Sequence, residues 1–452
     1  MEISSIVSAQ RSFFKSCATQ DYSFRIKMLR RLKRCVKKYE KRIYEALKSD
    51  LNKPVFESFV SEVGIVLNEI EFAIAHLREW MKPERKPVGI VNQPAKSYVR
   101  YEPYGVTLIL APWNYPFHLT LMPLVGAIAA GNTAIIKPSE YAEASAALLK
   151  NMFDDCFDEH YIAVICGGKD VAESLLDEQF DKIFYTGSTS VGRIVMQKAA
   201  RHLTPVTLEL GGKSPAVVLQ DAKVDLSARR ILWGKLFNAG QTCVAVDYAV
   251  VESAIYEDFV SRLVAYAKRF MRMKRIRNNY ARIVNKRHFY RLLGLIEKSR
   301  IIYSGGYDDK DLFIYPTIVE ASAGDPVLDD EIFGPILPVV RLDGYDSIRE
   351  FLLTMPDPLA LYVFTESTKA KERILCDIPS GGVTVNDTLV HLSSSHLPFG
   401  GVGTSGMGTY HGYYSFLEFS HKRAVMERST IVDVPLRYPP YSGKLPLVKR
   451  LF

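Results

Sequence analysis

No run of apolar residues in this 452-residue chain approaches the roughly 18 needed to cross a bilayer. The longest candidate, around 122–130, sits in a stretch opened by Pro116 and closed by Gly131, which reads as an ordinary helix. The first residues include Glu2 and no continuous apolar core, so they do not read as a secretory signal. The six cysteines (Cys17, Cys35, Cys156, Cys166, Cys243 and Cys376) are far apart and include no CxxC. That spacing argues against a disulfide framework and against a thiolate metal site. Nine histidines are scattered, without HExxH or a comparable ligand spacing. Internal repeats and low-complexity tracts are missing too. These absences point to a cytoplasmic, unprocessed protein without a metal, most of whose cysteines are small core residues.

What is present is the composition of a globular protein, 48% hydrophobic and 24% charged, at a length that suggests two or three domains. The net charge of +8 raises the question of nucleic acid. Ten of the eighteen residues at 25–42 are Lys or Arg. Yet Met28, Leu32, Val36, Tyr39, Ile43 and Leu47 recur at helical spacing, so the charges form the wet face of an amphipathic helix. A second basic cluster covers 268–277. Neither has the interleaved aromatics of a single-strand binder, and no nucleic-acid partner is expected. Contact with an acidic membrane surface stays open.

The first 80 residues read mainly as helices, the second covering 60–80. A Pro- and charge-rich crossing follows at 82–94, then an exposed alternating strand at 97–102. From Gly105 short apolar strands (106–111, 133–137, 162–166, 182–185) are separated by segments long enough for helical crossovers, which calls for a doubly wound parallel sheet. A second strand–helix series runs from 215–219 to about 385. It includes a helix at 231–237, a strand at 249–251 and an amphipathic helix at 256–271. Alternation near 416–425 suggests another strand, before a Pro- and Lys-rich tail from Tyr438. The fold class expected is α/β, with a doubly wound cofactor domain, a second α/β catalytic domain and a small β bridging region.

Three segments carry the chemistry. FNAGQTC at 237–243 sets Cys243 just after a small, glycine-containing turn. APWNYPF at 111–117 offers the side-chain amide of Asn114 between prolines, and LELGGK at 208–213 offers the Glu209 carboxylate before a double glycine. Nucleophile, oxyanion donor and base are the parts that covalent chemistry on a carbonyl requires. TGSTSVG at 186–192 follows a strand and opens a helix, so Gly187, Ser188 and Gly192 let free helix amides approach a pyrophosphate; a structural turn would look the same. Lys137 and Glu140, at the end of another strand, are placed to hydrogen-bond ribose hydroxyls.

Together with GNTAIIKPSE at 131–140, EIFGPILPV at 331–339, PFGG at 398–401 and RYPPY at 437–441, these motifs resemble the aldehyde dehydrogenase superfamily, in its class 3 or fatty-aldehyde branch, over nearly the whole chain. The resemblance implies NAD or NADP as cofactor. It makes Cys243 the nucleophile, with Asn114 and the Cys243 backbone N–H holding the oxyanion and Glu209 activating water. It also implies Lys137 and Glu140 at the adenosine ribose, Ser188 at the pyrophosphate, Glu331 and Phe333 at the nicotinamide ribose and ring, and Tyr115, Asn386 and Phe399 on the substrate side. The implied domains are 1–80 with 107–208 for the cofactor, 209–407 for catalysis, and 81–106 with 408–452 for bridging. The chain starts close to its first helices, without the longer arm of tetrameric relatives, so a homodimer is implied. The expected reaction is oxidation of a medium- or long-chain aliphatic or an aromatic aldehyde to a carboxylic acid. Transfer of the acyl group to coenzyme A and a non-catalytic cofactor-binding protein are the alternatives. Two departures from the family stand out. Val246 replaces a usual proline, which could loosen the loop behind the nucleophile, and the tail to Phe452 has no hydrophobic anchor, so it is either solvated or in peripheral contact with a membrane.

Overall fold

The computed structural model describes residues 2–272 and 276–451; part of the basic cluster at 268–277 and Phe452 lie outside them. The basic segment forms a long helix, Tyr22–Leu51, that buries Met28, Leu32, Val36, Ile43 and Leu47 on one face. Its start is capped by the Asp21 carboxylate, which accepts from the Ser23 amide, and its end by Asn52 in the left-handed conformation. Residues 60–80 are helical as expected, but the run is not uniform: Phe59–Val63 is a π turn that precedes the α-helix Gly64–Trp80.

After the crossing, which contains a short strand β1 (Glu84–Lys86), strand β2 (Ala95–Pro103) leads into the first large sheet. Its members are β3 (Val106–Leu110), β4 (Thr133–Lys137), β5 (Ile162–Val164), β6 (Lys182–Thr186) and β7 (Val206–Glu209). The apolar runs are buried on both faces, as parallel strands covered by helices must be. A second sheet is built from β8 (Pro215–Val218), β9 (Tyr248–Glu252) and β10 (Arg300–Ser304). Past the small β11 (Tyr307–Asp308) and β12 (Phe313–Ile314) pair it continues with β13 (Thr317–Ala321), β14 (Ile336–Leu342), β15 (Ala360–Phe364) and β16 (Gly382–Val385). The chain then returns β17 (Gly406–Met407) to the first sheet and β18 (Ser420–Arg428) to β2.

The first sheet has the order β17-β7-β6-β3-β4-β5, parallel except for β17. The chain builds outward from β3 through β4 and β5, then crosses back to β6 and β7. The crevice beyond the carboxyl ends of β3 and β6 is therefore a topological switch point, the place where open α/β sheets bind ligands. The second sheet, β10-β13-β14-β9-β8-β15-β16, is parallel apart from the β10–β13 pair. Two α/β sheets and a three-stranded β1-β2-β18 sheet confirm the expected fold class.

Several local expectations change. The alternation at 416–425 is split: Gly412–Glu418 is helical, buries Phe416, and only Ser420 onward is strand. Cys35 and Cys156 are buried, but Cys17, Cys166 and Cys376 are exposed, so most of the remaining cysteines are not core residues. Cys17 sits in a left-handed turn between two helices, a position that helical periodicity does not describe. Val246 is fully buried, with the loop behind Cys243 packed against the core.

The helix His118–Ala130 is apolar on all sides because it is sheathed by others, and it meets Gly412–Glu418 at Gly126. A Cβ there would lie 2.8 Å from the Ser415 Cβ and 3.0 Å from the Phe419 ring. Gly126→Val should therefore overpack the contact and cost about 1–3 kcal/mol, read as a lower thermal midpoint than wild type.

Candidate active site

The loop bearing Cys243 is held in a strained shape. Asn238, Ala239 and Gly240 are successive residues with φ of 52°, 53° and 75°, in the left-handed region. Gly240 has a second reason to be glycine: a Cβ would come 2.3 Å from the Gly334 carbonyl oxygen. Such strain persists only where surroundings over-determine it. Here the Asn238 amide donates to the Glu57 carboxylate at 3.1 Å, and the Asn238 side chain donates to the carbonyls of Asn114 (3.0 Å) and Gln241 (3.1 Å). Gln241, fully buried, donates to the Asn238 and Arg282 carbonyls and accepts from the Val284 amide.

Asn114 comes to this loop from the carboxyl end of β3. It is buried, and its side-chain amide donates to the Gln241 carbonyl at 3.0 Å. An amide has two N–H groups, so one remains beside the thiol loop. The Tyr115 hydroxyl pairs with Thr242 Oγ1 at 2.5 Å. Under both residues lies a buried ion pair that nothing in the sequence reading singled out. Lys53 Nζ donates to Glu62 Oε1 at 2.5 Å and to the Asn114 carbonyl at 3.0 Å. A lone Lys and a lone Glu nine positions apart look like surface residues, so no sequence signal marks them.

Cys243 is partly exposed and lines two spaces at once. One is an apolar cavity of about 310 Å³ walled by residues such as Tyr115, Leu119, Phe237, Leu389, Phe399 and Tyr410. Its mouth is marked by Phe56, Val60, Trp233 and Val390, of which Phe56 is 75% exposed. Two imidazoles in the wall are neutral: burial drives His118 down to about 3 and His411 well below its ordinary value. The other space is a cleft of about 330 Å³ lined by Asn114, Thr186, Gly187, Ser188, Glu209, Gly211, Glu331 and Phe333 among others, at the switch point. Cys243, Leu119, Phe399 and Tyr410 belong to both.

Burial is the leading cause of every charge shift here. It raises the Cys243 thiol, with the Glu331 and Glu209 charges adding to the effect. Glu209 is 2% exposed, and neither carboxylate oxygen has a hydrogen-bond partner. Burial, then the Glu418 charge, lifts it well above the usual carboxylate range. Glu331 is pushed up to about 8 by burial and then Asp247, partly opposed by a hydrogen bond from the Gly212 amide.

A dinucleotide fits the cleft on three observations. Ser188 caps the helix Thr189–Ala200 in the cleft wall, where free amides and the helix dipole favour phosphate. Gly211 permits the close approach of Glu331, since a Cβ would lie 2.2 Å from Glu331 Oε2. Glu331 Oε1 is buried with no hydrogen-bond partner, an acceptor able to take a ribose hydroxyl. Phe333 presents its ring edge-on to Trp113 at 5.4 Å in the same wall.

Not every expected residue gathers there. Lys137 ends β4 and pairs with Glu140, just beyond it, at 2.7 Å; neither is among the residues that wall the cleft. Gly192 has a packing reason, because a Cβ would meet Leu210 Cδ2 at 2.5 Å. Asn386 is not in the cavity wall. Its side chain accepts from the Thr365 amide and donates to the Thr365 carbonyl, tying β15 to β16. Tyr115 and Phe399 do line the cavity.

Comparison with known proteins agrees with this arrangement. The Aldehyde dehydrogenase family model matches residues 1–425. The chain belongs to the aldehyde dehydrogenase family. Within it the chain falls in the class 3 branch, matching family 3 members over nearly their whole length. It is 44% identical over 450 residues to the mouse "Aldehyde dehydrogenase, dimeric NADP-preferring", covering 98% of this chain and 99% of the relative. It is 42% identical over 446 residues to the Staphylococcus aureus "4,4'-diaponeurosporen-aldehyde dehydrogenase", covering 98% and 97%. The solved structure "Substrate bound state of Staphylococcus Aureus AldH" superposes with a TM-score of 0.98 at 41% identity, covering all of both chains. The protein is an NAD(P)-dependent aldehyde dehydrogenase.

Because folding raises the Glu331 carboxyl to about 8 and Glu57 to about 7, the native aldehyde dehydrogenase holds protons that the unfolded chain has released above about pH 4.5. These two carboxyls lower native-state stability as pH rises, while the depressed His118 and His411 act the opposite way only up to about their free value of 6.5, so stability should fall as pH rises from 6.5 to 8 without cofactor. Glu331→Gln removes one of those titrations and should flatten the decline in thermal midpoint across that window.

Proposed function

We propose that Cys243 is the nucleophile toward an aldehyde whose apolar tail lies in the cavity, with NAD or NADP in the cleft. The observation that carries this is the position of the thiol where the two spaces meet. Addition of the sulfur to the carbonyl carbon forms a C–S bond, passes the thiol proton to a base, and leaves charge on oxygen. The free N–H of Asn114 and the Cys243 backbone N–H are the donors for that oxyanion, each worth roughly 3–4 kcal/mol. The nicotinamide, when bound, supplies the hydride acceptor that makes the step an oxidation. A thioester on Cys243 results. Glu209 then takes a proton from water, the hydroxide adds, the C–S bond breaks, and carboxylate and thiol are released.

Burial raises the affinity of Glu209 for protons above that of an ordinary carboxylate, the direction that makes its ionised form a stronger base toward water. Its presence also favours water over coenzyme A as the acyl acceptor. Gly187, Ser188, Glu331 and Phe333 are the cofactor residues that the cleft supports; Lys137, Glu140 and Gly192 keep that role, and Asn386 its place on the substrate side, on family resemblance alone. The three-part division by residue number given above is retained as the reading of the domains.

The apolar wall, without a charged side chain at neutral pH, favours medium- or long-chain aliphatic and aromatic aldehydes, because a polar or charged tail would be desolvated without compensation. We further infer a cytoplasmic homodimer. Its support is the set of six unpaired thiols for the compartment and the relative named as dimeric for the assembly. Among the described residues no helix is long and apolar enough to cross a membrane. The tail at 444–451 lies exposed around a short helix, Leu445–Val448.

Cys243→Ala should reduce aldehyde-dependent formation of NADH or NADPH by at least about 10³-fold while cofactor binding persists; turnover near the wild-type rate would refute the assignment. Glu209→Gln should retain a stoichiometric burst of reduced cofactor, followed by a steady state slower by about 10²–10⁴-fold. Stopped-flow absorbance at the reduced nicotinamide band resolves the two phases.

A further inference from the structure

Resting on the reading of Asn114 as oxyanion donor, we propose that the buried Lys53–Glu62 ion pair is a positioning device that sets this donor against the nucleophile loop. Both side chains are fully buried, a placement that is costly unless each charge finds a complete set of partners. Here the sets are complete. Lys53 Nζ has three donors: one goes to Glu62 Oε1 at 2.5 Å, one to the Asn114 carbonyl at 3.0 Å, and the ammonium stands 4.1 Å from the centre of the Tyr115 ring. Glu62 Oε2 accepts from the amides of Phe117 at 3.1 Å and His118 at 2.9 Å.

The second pair of contacts has a structural meaning. The helix His118–Ala130 is preceded by Phe117 at its N-cap, which supplies no side-chain cap, and the first amides would otherwise be orphaned in the interior. Glu62 is that cap, delivered from another helix, and a carboxylate suits the positive end of the helix dipole. The pair thus grips the main chain on both sides of Tyr115, at residue 114 and at residues 117 and 118. The Asn114 carbonyl held by Lys53 also accepts the Asn238 side chain from the strained loop, so the grip extends to the segment that presents Cys243.

Glu62 reaches this point because it lies on the π turn Phe59–Val63. A π turn widens the helix by one residue and changes which side chains face inward. Ser61, Glu62 and Val63 are consecutively buried here, while Val60 and Ser61 wall the substrate cavity. One irregular turn therefore supplies cavity wall on one side and the counter-ion of the positioning pair on the other.

The test uses the full-length protein with decanal and saturating NAD⁺ or NADP⁺, chosen from the wild-type response. Lys53→Met strands the Glu62 charge, so the double variant Lys53→Met/Glu62→Gln is made beside it to neutralise both partners at similar volume. Expected for the double variant is a loss of kcat of at least about 30-fold, with the Kd for NADH or NADPH within about 3-fold of wild type by nucleotide fluorescence. In an Asn114→Ala background the same pair of substitutions should cost less than about 3-fold, because the donor it positions is already gone. Wild-type kcat in a folded double variant would overturn the proposal, as would losses that multiply independently of Asn114. Failure of both variants to fold or bind nucleotide would make the pair a folding element and overturn it too. If wild-type protein reduces neither cofactor with decanal or benzaldehyde, the parent reading has failed instead.

Discussion

The carbonyl of Gln241 accepts two side-chain amides, one from Asn114 in the loop after β3 and one from Asn238 in its own loop. That double acceptance joins the carboxyl end of β3 to the loop that carries the thiol. With the Asn238 side chain on the Asn114 carbonyl and the Tyr115–Thr242 contact beside it, the two segments that carry the proposed oxyanion donor and the proposed nucleophile are held as one body, within the ångström that covalent catalysis requires. Left-handed backbone at three successive residues is the strain that accompanies this closeness, and buried hydrogen bonds on either side keep it in place.

The same region accumulates ionisable groups in low dielectric. Glu209, Glu331, Glu57 and Cys243 are all shifted in the direction of their neutral forms, with burial as the first cause. A site with neutral occupants costs less to bury than one with four charges. It also supplies groups whose protonation can change as a carbonyl oxygen gains charge or water loses a proton. The apolar cavity follows the same logic at its two imidazoles, which burial keeps uncharged. Electrostatics and substrate preference thus share one origin, the exclusion of water around residue 243.

Much of this was legible beforehand. The strands at 133–137 and 182–185 were readable within a residue because parallel strands buried on both faces are continuous apolar runs, bounded here by glycine and proline. Cys243, Asn114 and Glu209 could be singled out from local pattern alone: a cysteine after a small glycine-containing turn, an amide between prolines and a carboxylate before a double glycine. Lys53 and Glu62 could not, since their meaning lies in a contact between helices rather than in any local pattern. The π turn was hidden because helical periodicity continues through it with one residue added. Asn386, placed on the substrate side by family resemblance alone, had no local pattern to show that its side chain would be taken up by the Thr365 backbone.

The wall of the apolar cavity reaches the surface at Phe56 and Trp233, while the thiol sits at its inner end beside the cleft. A chain entering aldehyde-first is measured from its reactive carbon outward, and only the portion inside the protein is gauged. Carbons beyond the rim meet solvent instead of a floor. Discrimination should then grow steeply over the first few methylenes and level off once the bore is filled, so the enzyme sets a minimum length for good substrates without setting a maximum.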